Sequence, residues 1–374
     1  MSLDISEEAV RFLRLRGQRL YLPDHKDDAT VAGVIHGLGG LQAQASEAAA
    51  LGVRVRSRGL TAADVERARL EERTIVRTWS MRGTLHLVHV EHLPGLLSVF
   101  GELYVSRGRR RLAELGLDHQ ACERSMTVIR EALAAHGPLT RIGLAQRLVE
   151  AGIEVAKKSQ APVHLVRRAC LLGIACEVAP IDGKDAYALL HDWLAPDSRV
   201  DRDKSLAELA HRYLKAYGPA TARDFAAWSG LPMADVRVGW NALSDGLVEV
   251  NAGGRSASML EGGLEDPRVV PSDARQVRLL PAFDTYLLGY QDRRLAVAAE
   301  HDRRVLPGGG VLRPTVISSG RAIGTWSMRR SGKLRVAQIQ PFEPLDPALE
   351  QGLRTEMKDI GRFQARPLRF ELPV

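Results

Sequence analysis

Two stretches of the chain repeat one pattern of apolar and polar positions. SMTVIREALAAH (125–136) leads into HGPLTRIGLAQRL, and LAELAHRYLKAY (206–217) leads into YGPATARDFAAWSG. The second segments align without gaps, Gly137 with Gly218, Pro138 with Pro219, Thr140 with Thr221, Leu144 with Phe225 and Ala145 with Ala226. This is an internal repeat of amphipathic helices. Glycine stops each leading helix, and threonine is the expected N-cap of the next. After a third helix the pattern switches to strands: IACEVAPIDGKDAYALL predicts a hairpin around Asp182–Lys184, and GLVEVNAGGRSASML one around Asn251–Gly254. Three helices followed by a hairpin form a winged helix.

A diverged third copy fits the N-terminal region. It has a helix over 6–20, a glycine-rich segment over 31–51, TAADVERARLEE as a capped helix, and TIVRTWSMRGTLHLVHV as a wing turning at Arg82-Gly83. From about residue 276 the chain reads as β-rich, with a hairpin whose tip is Ser318–Arg321. The expected fold is α+β, with three tandem winged-helix domains at 1–118, 119–200 and 201–275. A C-terminal β-rich region at 276–374 would carry a hairpin suited to probing a groove.

Composition narrows the partner. The formal net charge is +7 and the pI about 9.5, which favours a polyanion. Three cysteines without a CxxC pair fit a reducing compartment. The N-terminus lacks the apolar core of a signal peptide, and no run approaches a membrane span. The expectation is a cytoplasmic protein with no membrane association. A simple sequence reader commonly has one such domain per subunit, and the third helix of the last copy offers only Arg237 and Asn241 to bases.

GLGGLQAQASEAAA (37–50) places Gln42 and Gln44 two positions apart. Glutamine near a helix start ordinarily caps or solvates, and it cannot titrate. HLVHVEH gathers His86, His89, Glu91 and His92, but positions 86 and 89 point oppositely on a strand, so no metal is expected. LPGGGVLRP lacks the GK[ST] of a phosphate-binding loop. YQDRR (290–294) reads either as a solvated loop or as a phosphate clamp.

QAQ, RTWSMRGTLHLV, two further winged helices, LLPAFDTYLLGYQDRR and GTWSMRR together resemble the AlkZ/YcaQ winged-helix DNA glycosylases over nearly the whole chain. The resemblance implies hydrolysis of the N-glycosidic bond of alkylated purines, chiefly N7-alkylguanine. Gln42 and Gln44 would be the catalytic Qx[QD] motif, in its Gln branch. That branch resembles self-resistance enzymes that remove bulky adducts or unhook crosslinks left by DNA-alkylating natural products. It also implies an open, C-shaped assembly around duplex DNA carrying alkylated purines, a monomer, and no cofactor.

Physical chemistry agrees with that assignment. An N7-alkylguanine is already cationic and leaves without protonation, so orientation and preorganised dipoles suffice. Both glutamines share a face on extended backbone but diverge on a helix, which places them at or near a helix N-terminus after a glycine bend. Arg16, Arg82, Thr84 and His86 are the expected walls of the cleft. Arg293 and Arg294 are expected to clamp phosphates, Arg313 to contact DNA and Arg321 to enter the minor groove. Two rivals stand beside this reading: a non-catalytic winged-helix regulator, and a metal-dependent nuclease built on the histidines.

Overall fold

The computed structural model describes residues 3–22, 29–155, 160–194, 200–262, 268–271, 276–331 and 334–371. They form two compact units, one from residues 1–66 and 207–374 and one from residues 67–206. The expected first domain, 1–118, is divided between them, and the expected boundary at 275 lies outside the described residues.

The unit of residues 67–206 begins with the hairpin Ile75–Trp79 and Leu85–His89, paired from Ile75↔His89 to Trp79↔Leu85. A long helix, Leu93–Glu114, follows; proline in its first turn marks its start. The first repeat copy then supplies three helices, His119–His136, Arg141–Glu150 and Ala161–Leu171. Their apolar faces, including Ile129, Leu133, Leu144 and Leu165, close one core over Tyr187 of the hairpin Ala175–Ile181 and Lys184–Leu189. Asp182 (φ 50°) and Gly183 (φ 70°) make its tight turn. The short strand Leu139–Thr140 adds to the hairpin, and Thr140 Oγ1 caps the next helix by accepting from Gly143 N at 3.1 Å.

The second copy repeats these devices in the other unit. Ala220 bridges Ser258 where Leu139–Thr140 bridges Tyr187 and Ala186. Thr221 Oγ1 accepts from Asp224 N, and the Asp224 carboxylate accepts from Thr221 N, completing a capping box. The hairpin Leu247–Ala252 and Arg255–Leu260 turns at Gly253-Gly254, and Leu3–Asp4 joins its edge in parallel.

The C-terminal part of this unit is a five-stranded sheet in the order Val277–Leu280, Thr315–Ser318, Arg321–Ser331, Leu334–Pro341, Leu368–Glu371. It also contains the helix Pro347–Phe363, which a purely β-rich reading of 276–374 omits. Leu353, Met357, Ile360 and Phe363 mark its buried face at helical spacing, and Asp346 caps it.

The hairpin expected to probe a groove turns at Ser319-Gly320 as predicted, but its tip does not project. Tyr286 Oη donates to Gly320 O at 2.9 Å, and a Cβ at Gly320 would lie 2.6 Å from that hydroxyl and 3.2 Å from Arg11 Cβ. Ile317 and Ala322, flanking the turn, belong to the core with Leu15 and Tyr286. Burial of these apolar neighbours pins the tip against the N-terminal helix.

Candidate active site

Gly39 (φ 70°) and Gly40 (φ 134°) turn the chain out of the helix Val31–Leu38 into the short strand Leu41–Gln42. The helix Ser46–Arg54 begins just beyond, with Ala45 as its N-cap. Between them the motif alternates: Gln42 is half-buried, Ala43 wholly buried and Gln44 exposed. Extended backbone sets both amides on one face, and Gln42 Nε2 donates to Gln44 Oε1 at 2.9 Å. That bond fixes two amide dipoles relative to each other.

The helix behind the motif is anchored by two buried arginines. Arg54 donates to Leu279 O and to Glu356 Oε2, each at 3.0 Å. Arg56 makes a two-pronged pair with Asp284, at 2.7 and 2.8 Å, with both side chains essentially inaccessible. Glu47, the acid that follows the motif, is taken by Arg335 and by Gln364 Nε2, the latter at 2.9 Å. A cleft of about 370 Å³ opens beside the helix start, walled by Ala45, Ala48, Leu51, Pro281, Trp326 and Met328.

Arg82, Thr84 and His86 come together on the wing of residues 75–89. Arg82 sits at the turn with φ 54°, followed by Gly83 with φ 67°. His86 is buried, so its ring is not available to a duplex. Its Nδ1 lies 3.0 Å from Thr84 O and its Nε2 3.5 Å from Arg82 Nη2. Burial, aided by the Arg82 charge, holds the imidazole down at about 3, so it is neutral at ordinary pH. The neutral ring donates through Nδ1 and accepts through Nε2, which aims the Arg82 guanidinium.

The other basic candidates divide. Arg294 and Arg321, both exposed, line one cleft of about 310 Å³ with His301 and Phe342. Arg294 is also paired with Asp292, whose carboxyl is held at about 2 chiefly by hydrogen bonds from Arg294. Arg293 spends its Nε on Leu287 O at 2.7 Å, and Arg313 donates to Arg304 O at 3.3 Å. Arg16 is exposed in the last turn of the N-terminal helix. Neither Arg16 nor Arg313 shares the cleft of Arg294 and Arg321.

Among the described residues no group of three or more His, Cys, Asp or Glu side chains is placed to hold a metal ion. All three cysteines are free and buried, and burial pushes the Cys176 thiol up to about 12. None is an activated nucleophile. Among the described residues no helix is long and apolar enough to cross a membrane.

The sequence model of the family described as DNA glycosylase AlkZ-like matches residues 35–363. The chain belongs to this family. It is the family that QAQ and the accompanying motifs indicate, and DNA glycosylase activity follows from membership. A curated relative, the interstrand DNA cross-link repair glycosylase of Streptomyces sahachiroi, is 27% identical over 325 residues, covering 84% of this chain and 86% of the relative. The solved structure of the Streptomyces sahachiroi DNA glycosylase AlkZ superposes with a TM-score of 0.85 at 24% identity, covering 99% of this chain and 100% of that one. The mixed α+β fold of this AlkZ-like glycosylase is therefore that of AlkZ. Strand periodicity placed the two glutamines on one face, but sequence reasoning did not single out Arg54, Arg56 and Asp284, whose partners lie far off in the chain.

Proposed function

We propose that this chain hydrolyses the N-glycosidic bond of cationic N7-alkylguanine in duplex DNA, acting as a metal-independent, monofunctional glycosylase through Gln42 and Gln44. The observation that carries the reading is the pair of mutually hydrogen-bonded amides on one extended face. In the reaction the C1′–N9 bond breaks and its electrons cancel the positive charge of the alkylated base. Water adds to C1′ and its surplus proton passes to solvent. Neither glutamine can move a proton, and Glu47 is already held by Arg335 and Gln364. What the amides supply is position for the water and dipoles facing an oxocarbenium-like sugar. The departing base needs no acid, so such a site serves only an activated lesion.

The natural substrate in this reading is a bulky adduct or an interstrand crosslink from a DNA-alkylating natural product, with a role in self-resistance or repair. The apolar cleft beside Ala45 supports it by offering room for a large substituent. The printed function of the Streptomyces sahachiroi relative points the same way.

The architecture we propose is three tandem winged helices and a β-rich C-terminal region, in a C-shape around duplex DNA. Its support is the order of three helices and a hairpin at 119–189 and again at 202–260. Arg293 and Arg294 would clamp phosphates, Arg321 would enter the minor groove, Arg313 would contact DNA, and Arg16 and Arg82 would line the cleft, with Thr84 and His86 supporting Arg82. Arg321 acts here from the flank of a docked turn. The protein would work as a cytoplasmic monomer.

The test is a duplex with a single N7-methylguanine, and another with a bulky N7 adduct, incubated in EDTA and then treated with alkali. Alkali-dependent breaks that disappear in Gln42→Ala and Gln44→Ala support the proposal. Binding without breaks in either duplex defeats it in favour of a regulator, and EDTA-sensitive scission favours a nuclease.

A further inference from the structure

Two clefts open at the start of the helix Ser46–Arg54, and the helix itself sorts them. Successive side chains turn by about 100°. Ala45, Ala48 and Leu51 therefore line the cleft of about 370 Å³, while Ser46 and Ala50 line a second one of about 260 Å³. Glu47 falls at the boundary between the two faces. It lines both clefts, and among the described residues Arg335 alone shares that position with it.

These two residues are joined across the boundary. Glu47 Oε1 accepts from Arg335 Nη1 and also from Gln364 Nε2, the latter at 2.9 Å. Arg335 Nη1 lies 3.5 Å from Gln364 Oε1 and 3.3 Å from Met328 Sδ. The pair is a bar that opens readily. The Glu47 side chain is 55% exposed, so its carboxylate returns to water on leaving, and an exposed ion pair holds little back. Arg335 keeps Gln364 and Met328 when the carboxylate goes, so no buried charge is stranded. The second cleft also has a character of its own. Ala50, Ala62 and Phe363 give it apolar wall, and Arg335 and Arg366 stand against Glu47 and Glu66, so its charges cancel. A charged group would meet as much repulsion as attraction there. An uncharged one bearing amides or hydroxyls suits it, with Ser46 and Gln364 to hydrogen-bond.

We infer that the Glu47–Arg335 pair divides one substrate groove in two, and that the second cleft takes the distal, uncharged arm of an N7 substituent too long for the first. A short substituent stays on the near side and leaves the pair closed. A long arm parts it and continues beyond. Glu47 and Arg335 thus set substrate length without touching the bond that is cut; the inference rests on the N7-alkylguanine reading above.

The experiment compares excision of three lesions in one duplex: N7-methylguanine, an N7-arylmethylguanine, and the same aryl group extended by an uncharged amide arm. The readout is the ratio of kcat/KM for the long adduct to that for the short aryl adduct, in which general damage to a variant cancels. Ala62→Phe, on the helix Ala62–Leu70 and outside the motif helix, narrows the second cleft and should lower the ratio by ~10-fold or more. Glu47→Ala removes the bar and should raise the ratio by ~2–5-fold, the range an exposed ion pair can hold back. Ratios unmoved in both variants overturn the inference, as does a wild type that removes both short lesions but not the long one. Glu47→Ala with equal losses on all three lesions overturns the bar, since the carboxylate would then be positioning the glutamine helix. Wild type inactive on all three overturns the N7-alkylguanine reading and this inference with it, whereas excision of N7-methylguanine with unmoved ratios strikes this inference alone.

Discussion

Gln42 and Gln44 hold each other: the amide of the first donates to the carbonyl of the second across 2.9 Å, while Ala43 between them is buried. A pair so joined behaves as one device. Gln42→Ala and Gln44→Ala should each lower single-turnover excision by ~10²–10³-fold, the range for one lost electrostatic donor. The double variant should fall little further, because either loss unfixes its partner. Multiplying effects would show two independent contributors and break the paired reading.

Neither glutamine titrates, and His86 is already neutral with its imidazole held at about 3. Excision of N7-methylguanine should therefore be flat from about pH 6 to about pH 8, between ordinary carboxylates and ordinary thiols. A bell-shaped single-turnover profile would reveal a proton-transferring residue that the amide mechanism leaves out.

Much of this was legible in the sequence where the physics is local. Thr140 and Thr221 cap helices because a hydroxyl at that position satisfies an N–H three residues on, and the turns at Arg82-Gly83, Asp182-Gly183 and Gly253-Gly254 announce themselves by composition. The face shared by the two glutamines follows from strand periodicity alone. What stayed hidden depends on tertiary partners. YQDRR reads as a solvated loop or a phosphate clamp, yet its Tyr290 is buried, accepting from Gln18 and donating to Tyr217 O. His86 reads as a wing contact, but only the folded environment shows it buried beneath Arg82.

The cleft beside Ala45 separates large from small substrates. Ala48 lies on its wall within the helix Ser46–Arg54. Ala48→Phe should fill part of the ~370 Å³ and lower kcat/KM for a bulky aromatic N7 adduct by ~10-fold or more, at about 1.4 kcal/mol per decade. Excision of N7-methylguanine should stay within about threefold, since a methyl group needs none of that space. Equal losses on the two duplexes would remove the cleft from substrate selection.

His86 also predicts acid sensitivity. Its folded value of about 3 lies below the ordinary 6.5, so the unfolded chain takes up a proton that the folded chain refuses. Stability is thus fully present above the unfolded value and is lost as pH falls. At pH 5, 1.5 units below that value, the loss amounts to ~2 kcal/mol. Denaturant unfolding of wild type and His86→Gln near pH 7 and pH 5 should show the wild type losing about that much more. Parallel losses would mean that other groups carry the acid response.

The Arg56–Asp284 pair makes the last prediction. Its two hydrogen bonds, at 2.7 and 2.8 Å, join residues 228 positions apart, and both side chains are shut away from water. Arg56 donates to Gly52 O as well, within the helix that follows the glutamines, while Asp284 caps Thr285–Leu288 by accepting from Tyr286 N. Asp284→Asn preserves shape and a capping oxygen but strands a buried guanidinium, at a cost of ~3–5 kcal/mol. Pairing Arg56→Met with Asp284→Leu removes both charges and should recover part of that loss, since no buried charge is then uncompensated. Urea midpoints of the single and double variants decide the matter. A double variant less stable than either single would mean that the hydrogen bonds to Gly52 and Tyr286, rather than charge pairing, hold this junction.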